Sequence, residues 1–294
     1  VQGALCMYPI WAHGSEEQKE KYLPRLASGE IVGCFGLTEP DQGSDPAGMR
    51  TRAERDGDDW RLYGTKTWIT NAPIADLAIV WAKDQSDEGT VRGFLVPTDE
   101  EGVETHTIHE KFSMRVSHTG SVVCDGVRVP KENVLPKVRG MKGPLSCLTQ
   151  ARYGIAWGVV GAARDCYEQA LEYGQDREQW GRPIAGFQLQ QEKLAEMITQ
   201  ISLGQLLAFR LSELKEAGNL RPQQVSMAKR HNVRMARDQS RVAREIIGGN
   251  GITTDYSPMR HMANMETVYT YEGTHDIHSL IVGADITGLR AFRG

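Results

Sequence analysis

The period of the hydrophobic pattern changes twice along these 294 residues, and the two changes constrain the fold more than any single motif. Residues 1–30 read as helix. Ser15-Glu16-Glu17-Gln18 fits a capping box, Tyr22, Leu23 and Leu26 continue one apolar face, and Gly29 supplies a stop. From Ile31 onward helical spacing disappears. Leu77-Ala78-Ile79-Val80-Trp81 and Val91-Arg92-Gly93-Phe94-Leu95-Val96 are apolar runs of buried-strand length, the second ended by Pro97. Val103-Glu104-Thr105-His106-Thr107-Ile108 alternates as a half-buried strand does, and Asp125-Gly126 predicts a turn between strands at Ser121-Val122-Val123-Cys124 and Val127-Arg128-Val129. Strands this closely spaced, with no helix among them, predict an antiparallel barrel or sandwich over residues 31–136.

After Pro136 the helical period returns. Pro144 is placed to open a long helix through Ile155, Val159, Ala162 and Cys166 to Tyr173. Leu194, Met197, Ile201, Ala208 and Leu211 predict an amphipathic helix over 187–217, ended by Gly218-Asn219. A third helix covers 225–247 and stops at Gly248-Gly249-Asn250-Gly251. The expected organisation is therefore α+β: a helical segment (1–30), a β domain (31–136) and an up-down helical bundle (137–294). Val1 starts inside an apolar pattern without Met or cap, so residues 1–30 are expected to be the end of a longer helical domain.

Composition removes several function classes. A net charge of −4 provides no basic field for nucleic acid, and no apolar run approaches the roughly 20 residues of a membrane span. Five scattered cysteines without a Cys-x-x-Cys pair predict reduced thiols in a reducing compartment. The eight histidines form no His-Glu-x-x-His, so no metal site is expected.

Four stretches carry candidate chemistry. Phe35-Gly36-Leu37-Thr38-Glu39-Pro40 and the following Gly43-Ser44 put glycines and hydroxyls after a short strand, which suits close backbone approach to a flat polar ligand and equally suits a surface loop. Trp68-Ile69-Thr70 offers a ring and a hydroxyl at a strand end, although a lone Trp is more often core. Gly248-Gly249-Asn250-Gly251 follows a helix, not a strand; it fails the dinucleotide pattern and reads as a helix cap. In Thr270-Tyr271-Glu272-Gly273-Thr274-His275-Asp276, Gly273 breaks one helix and Thr274 caps the next, over 276–289. A carboxylate on that break, Glu272, faces a cavity more readily than one inside a helix, the plain alternative being a solvated helix-end Glu. Arg177, at a helix-end turn, could meet a phosphate or cap carbonyls.

In this order across a helix-β-helix chain, the four motifs resemble the acyl-CoA dehydrogenase family of flavoproteins. Ala151-Arg152-Tyr153-Gly154 and Tyr271-Glu272-Gly273-Thr274-His275-Asp276 are similar to its glutaryl-CoA-oxidising branch. The resemblance implies FAD as cofactor, contacted by Phe35, Gly36, Leu37, Thr38, Ser44, Trp68, Ile69, Thr70, Thr274 and Asp276. Arg177, Trp180, Gln188, Glu245, Gly248 and Gly249 would reach the FAD of a neighbouring subunit. Ser44, Leu145, Leu148, Arg152, Tyr271 and Gly273 would line the acyl-CoA site, and Glu272 would be the base that removes the α-proton. The same resemblance implies a dimer-of-dimers homotetramer, an electron-transfer flavoprotein as acceptor, and a bacterial cytoplasmic or mitochondrial-matrix location. It further implies conversion of glutaryl-CoA to crotonyl-CoA with loss of carbon dioxide. The alternatives are a monocarboxylic short- or medium-chain acyl-CoA dehydrogenase and a catalytically silent acyl-CoA-binding scaffold. Two positions depart from the family pattern: Trp180 where many members carry Phe, and Glu245 where Gln is common. The arginine that would hold a distal carboxylate is expected just before Val1.

Overall fold

The computed structural model describes residues 1–291, which divide into two compact units: Val1–Lys111 with Arg115–Ala151, and Phe112–Met114 with residues 152–291. The first unit opens with a π-helical turn, Gln2–Met7, then α1 (Tyr8–His13) and α2 (Glu16–Ser28). Both arms of the predicted capping box form: Gln18 N–H donates to Ser15 Oγ at 3.2 Å and Ser15 N–H to Gln18 Oε1 at 3.0 Å. Gly29 closes α2 in the left-handed conformation.

Seven strands follow: β1 (Gly33–Gly36), β2 (Arg52–Asp56), β3 (Asp59–Thr70), β4 (Leu77–Asp84), β5 (Thr90–Pro97), β6 (Val103–Thr107) and β7 (Thr119–Val129). They make one sheet in the order β1-β4-β2-β3-β7-β6, with β5 also on β4. The sheet is mixed, since β1 and β2 both run parallel to β4. β4 explains why its sequence is continuously apolar instead of alternating. Leu77, Ile79 and Trp81 pack into one core with α1 and α2 side chains such as Ile10 and Leu26. Ala78, Val80 and Ala82 pack into a second core with Trp60, Leu62 and Phe94.

One local expectation is corrected. Asp125-Gly126 is not a hairpin turn; β7 runs straight through it, paired to β3 on both sides. The register slips by one residue there, Leu62 facing Val127 and Tyr63 facing Asp125, and Gly126 takes φ +71°. A Gly in the left-handed region serves a bulge as well as a turn, and only the long partner strand decides between them.

The second unit is helical: α3 (Lys142–Asp176), which enters it from the first unit at Arg152, α4 (Gln188–Glu216), α5 (Pro222–Ile247), α6 (Pro258–Thr270) and α7 (His275–Thr287). The stripe read from sequence on α4, Leu194, Met197, Ile201, Ala208 and Leu211, is buried as expected. α5 is central. Its buried Asn232 donates from Nδ2 to Ala156 O of α3 at 2.8 Å and to Gly204 O of α4 at 2.9 Å, a polar lock among three helices. Among the described residues no helix is long and apolar enough to cross a membrane.

Candidate functional site

In the first unit the candidate residues gather at the end of β1 and in the bulged part of β3. Phe35 and Leu37 bury their side chains in the core, which leaves backbone and Thr38 at the surface of this loop. The loop is pinned from beneath. Glu39 accepts hydrogen bonds from Arg50 N–H (2.6 Å), Thr51 N–H (2.9 Å), Thr51 Oγ1 (2.5 Å) and Lys66 Nζ (2.8 Å), and Lys66 also donates to Leu37 O at 3.2 Å. Both ionised groups are buried. Burial alone would raise Glu39, but Lys66 and the backbone donors outweigh it and hold the carboxyl at about 2. Gly36 lies over the Lys66 stem, where an added Cβ would meet Lys66 Cγ at 3.0 Å. Ser44 is exposed.

Two residues beyond Lys66 the β3–β7 register breaks between Lys66 and Ile69, and Trp68 adopts φ +58°. A bulky aromatic at positive φ is a strained conformation. Its effect is to turn the indole outward, leaving it 63% exposed, while Ile69 faces the core and Thr70 is half-exposed. Leu145 is exposed and Leu148 half-buried on the first turns of α3.

In the second unit the turn between α6 and α7 is built around Glu272. Thr274 caps α7, its Oγ1 accepting from Ile277 N–H at 3.1 Å. Glu272 and Gly273 both have positive φ, +54° and +89°. For Gly273 this costs little, and the close approach also requires Gly, since a Cβ would meet Arg152 Nη2 and His278 Nε2 at 3.0 Å. For Glu272 it is strain. Cations of α3 and α5 hold the carbonyls of this turn. Arg152 Nε donates to Glu272 O at 2.7 Å, and Lys229 Nζ donates to Tyr271 O at 3.0 Å and Gly273 O at 2.9 Å. His278, fully buried, places Nε2 3.2 Å from Glu272 O.

One oxygen of the Glu272 carboxylate, Oε2, is sealed from solvent and has no hydrogen-bond partner among the described residues. Burial raises its proton affinity above the usual carboxylate range, against the opposing pull of Arg152 and Lys229. Burial likewise pushes His278 down to about 3, so this imidazole is neutral. Oε2 is thus desolvated on a half-buried residue, and a raised carboxyl pKa of this kind is characteristic of functional sites. The burial of Oε2 counts against a fully solvated helix-end carboxylate, although Glu272 as a whole is half-buried.

The remaining predicted residues lie elsewhere on the second unit. After α3, Glu178–Gln179 (β8) and Arg182–Pro183 (β9) form a two-residue hairpin with Trp180 (φ +51°) and Gly181 (φ +76°) at its tip. Trp180 is 88% exposed. Arg177 and Gln188 are exposed, as is Asp276; Tyr271 is partly so, and Thr274 half-buried. Glu245 pairs with Lys193 at 3.3 Å, and Gly248 and Gly249 face open space. Tyr271, Glu272, Gly273 and Arg152 are therefore brought together, whereas Arg177, Trp180 and Gln188 sit on and beside a separate hairpin. Sequence reasoning missed Lys229 and Lys66. For Lys229 a signal existed: a charge on the α5 stripe that also carries Val225, Ala228, Asn232 and Val233.

The chain matches the N-terminal, middle and C-terminal domain families of acyl-CoA dehydrogenase over residues 1–30, 34–127 and 138–287. A crystal structure of glutaryl-CoA dehydrogenase from Mycobacterium smegmatis superposes with a TM-score of 0.97 at 56% identity, covering 100% of this chain and 75% of that one. A glutaryl-CoA dehydrogenase from the same organism in complex with FADH2 also gives 0.97, at 53% identity over 100% and 75% of the two chains. Glutaryl-CoA dehydrogenase of Desulfococcus multivorans is 37% identical over 97% of this chain and 74% of its own length. The chain belongs to the acyl-CoA dehydrogenase family, a family of oxidoreductase enzymes.

Proposed function

We propose that the protein oxidises an acyl-CoA thioester, glutaryl-CoA foremost, with Glu272 as the base. The observation that carries this reading is the buried Glu272 Oε2 without a partner, on a turn clamped by Arg152 and Lys229. Glu272 takes the proton from the thioester α-carbon; a carboxylate stripped of water is a stronger base than one in bulk solvent, which narrows the gap to the carbon acid. The neutral His278 beside the Glu272 carbonyl adds no charge that would depress it.

The residues present fit FAD. The strained backbone of Trp68 exposes a flat ring, Thr70 carries a hydroxyl two residues on, Thr38 is tied to the residue before Trp68 by Thr67 N–H donating to Thr38 O at 2.9 Å, and the loop that holds Thr38 is fixed by the Lys66–Glu39 pair. Phe35, Gly36, Leu37, Ser44, Ile69, Thr274 and Asp276 complete the set assigned to the cofactor of the same subunit, with Leu145 and Leu148 assigned to the acyl chain. When bound, FAD supplies the hydride acceptor for the β-carbon. Arg177, Trp180, Gln188, Glu245, Gly248 and Gly249 are assigned to a neighbouring subunit's FAD, where Lys193 offsets the charge of Glu245. The exposed apolar residues Leu203, Leu206 and Phe209 on α4 support association between subunits, which we assign to a homotetramer; reoxidation is assigned to an electron-transfer flavoprotein.

The glutaryl assignment rests on the relatives; the carboxylate on the γ-carbon of the oxidised product would leave as carbon dioxide, its C–C bonding pair passing into the conjugated enoyl thioester, and protonation of the resulting dienolate would give crotonyl-CoA. Glu272→Gln should retain FAD but lose flavin reduction by glutaryl-CoA by at least about 100-fold. Full activity in that variant would remove Glu272 as base. Equal turnover of butyryl-CoA without carbon dioxide from glutaryl-CoA would favour the monocarboxylic reading.

A further inference from the structure

Lys229 has 1% of its surface exposed, on the face of α5 that also buries Val225, Ala228, Asn232 and Val233. An ammonium in such a place is costly unless its hydrogen bonds are made. Among the described residues it forms no ion pair within 4.0 Å; its hydrogen bonds go to Tyr271 O and Gly273 O, the carbonyls on either side of Glu272. Arg152 holds the carbonyl between them. A lysine kept only for packing would not span one residue in this way.

We propose that Lys229 is a positioning residue for the reaction: by bridging the carbonyls of Tyr271 and Gly273 it holds Glu272 at positive φ and so fixes its carboxylate. The proposal rests on the reading of Glu272 as the base. Without the bridge, a non-glycine residue at φ +54° relaxes toward negative φ, which rotates the side chain about the backbone. Displacements near 1 Å in a reacting group cost about 100-fold in rate. Burial and Arg152 push the Lys229 ammonium down to about 7, against Glu272, which pulls it up. Ammonium and amine each carry the two N–H donors the carbonyls need, so the bridge persists through that titration.

The test uses the FAD-loaded enzyme. In Lys229→Met the kcat for flavin reduction by glutaryl-CoA should fall about 100-fold, with KM changed less than about threefold. Amide hydrogen exchange should accelerate in a peptide spanning residues 268–278 but not in α4. Lys229→Gln, which keeps one donor group, should recover about tenfold of the loss; it carries the same test if the Met variant does not fold. Wild-type kcat in Lys229→Met overturns the proposal. So does a loss of kcat in proportion to folded protein, with exchange accelerated throughout the helical unit. Glu272→Gln separates the two readings: if it stays active the base assignment fails, while exchange in the 268–278 peptide still decides whether Lys229 holds the turn.

Discussion

Trp68 and Glu272 are both non-glycine residues held at positive φ, and in each the strain has a visible result: one exposes an indole, the other buries a carboxylate. Trp68→Gly should therefore relieve about 1 kcal/mol of backbone strain and weaken FAD retention. Melting of the apoprotein and the rate of FAD release measure the two effects separately, and unchanged FAD release would take Trp68 out of the cofactor site. Acid sensitivity also belongs to single residues. His278 would titrate at 6.5 in the unfolded chain but at about 3 when folded. Between these values the unfolded chain binds the extra proton, so the stabilisation is complete above pH 6.5 and is lost as pH falls toward 3. Glu39, lowered from 4.5 to about 2, loses its contribution over that lower window by the same sign. Chemical denaturation at stepped pH should show stability falling between pH 6.5 and 3, and that fall should be smaller in His278→Gln, with His13 and His275, also lowered by burial, supplying the remainder.

At the scale of elements, a few polar contacts hold together pieces that local propensity would leave loose. The loop after β1 is tied to β3 by Lys66, whose buried charge meets Glu39 at 2.8 Å. Removing one partner leaves the other buried and unpaired, so Lys66→Met should destabilise by about 3–5 kcal/mol in denaturant titration. The double change Lys66→Met with Glu39→Gln should recover part of that cost; no recovery would mean that packing, and not charge, dominates. The start of α7 depends on a smaller contact. Thr274→Ala removes the hydroxyl that accepts Ile277 N–H and should cost about 1 kcal/mol.

Across the whole molecule, all five cysteines are buried, at exposures of 0–3%. Burial pushes the thiols of Cys34 and Cys166 up to about 12 and that of Cys124 to about 11, so thiolate is scarce at neutral pH. A thiol reagent should react with fewer than one cysteine per native chain and with five after unfolding. Rapid native reaction would show that one of the units opens easily. The apolar residues left on α4 make a second whole-molecule prediction. Leu206, 64% exposed, replaced by Glu should shift the assembly toward smaller species in sedimentation while leaving the helix intact.

What sequence determined by itself was period and punctuation. The α4 stripe, the Ser15–Gln18 capping box, the strands at Leu77 and Val91 and the Thr274 cap all follow from contacts within a few residues, which local pattern encodes. The motifs also picked out the stretch around Glu272, yet that stretch alone favoured a solvated carboxylate no less than a base. The desolvation of Oε2 and the clamps from Arg152 and Lys229 are visible only in tertiary structure, because they involve groups 120 and about 43 residues away in sequence. Gly126 makes the same point in the sheet: its backbone freedom was legible, whereas bulge or turn depended on the length of β3 beside it. Strain at Trp68 and Glu272 left no trace in sequence either, since nothing in local propensity asks a Trp or a Glu to adopt positive φ; only the surrounding packing can impose it.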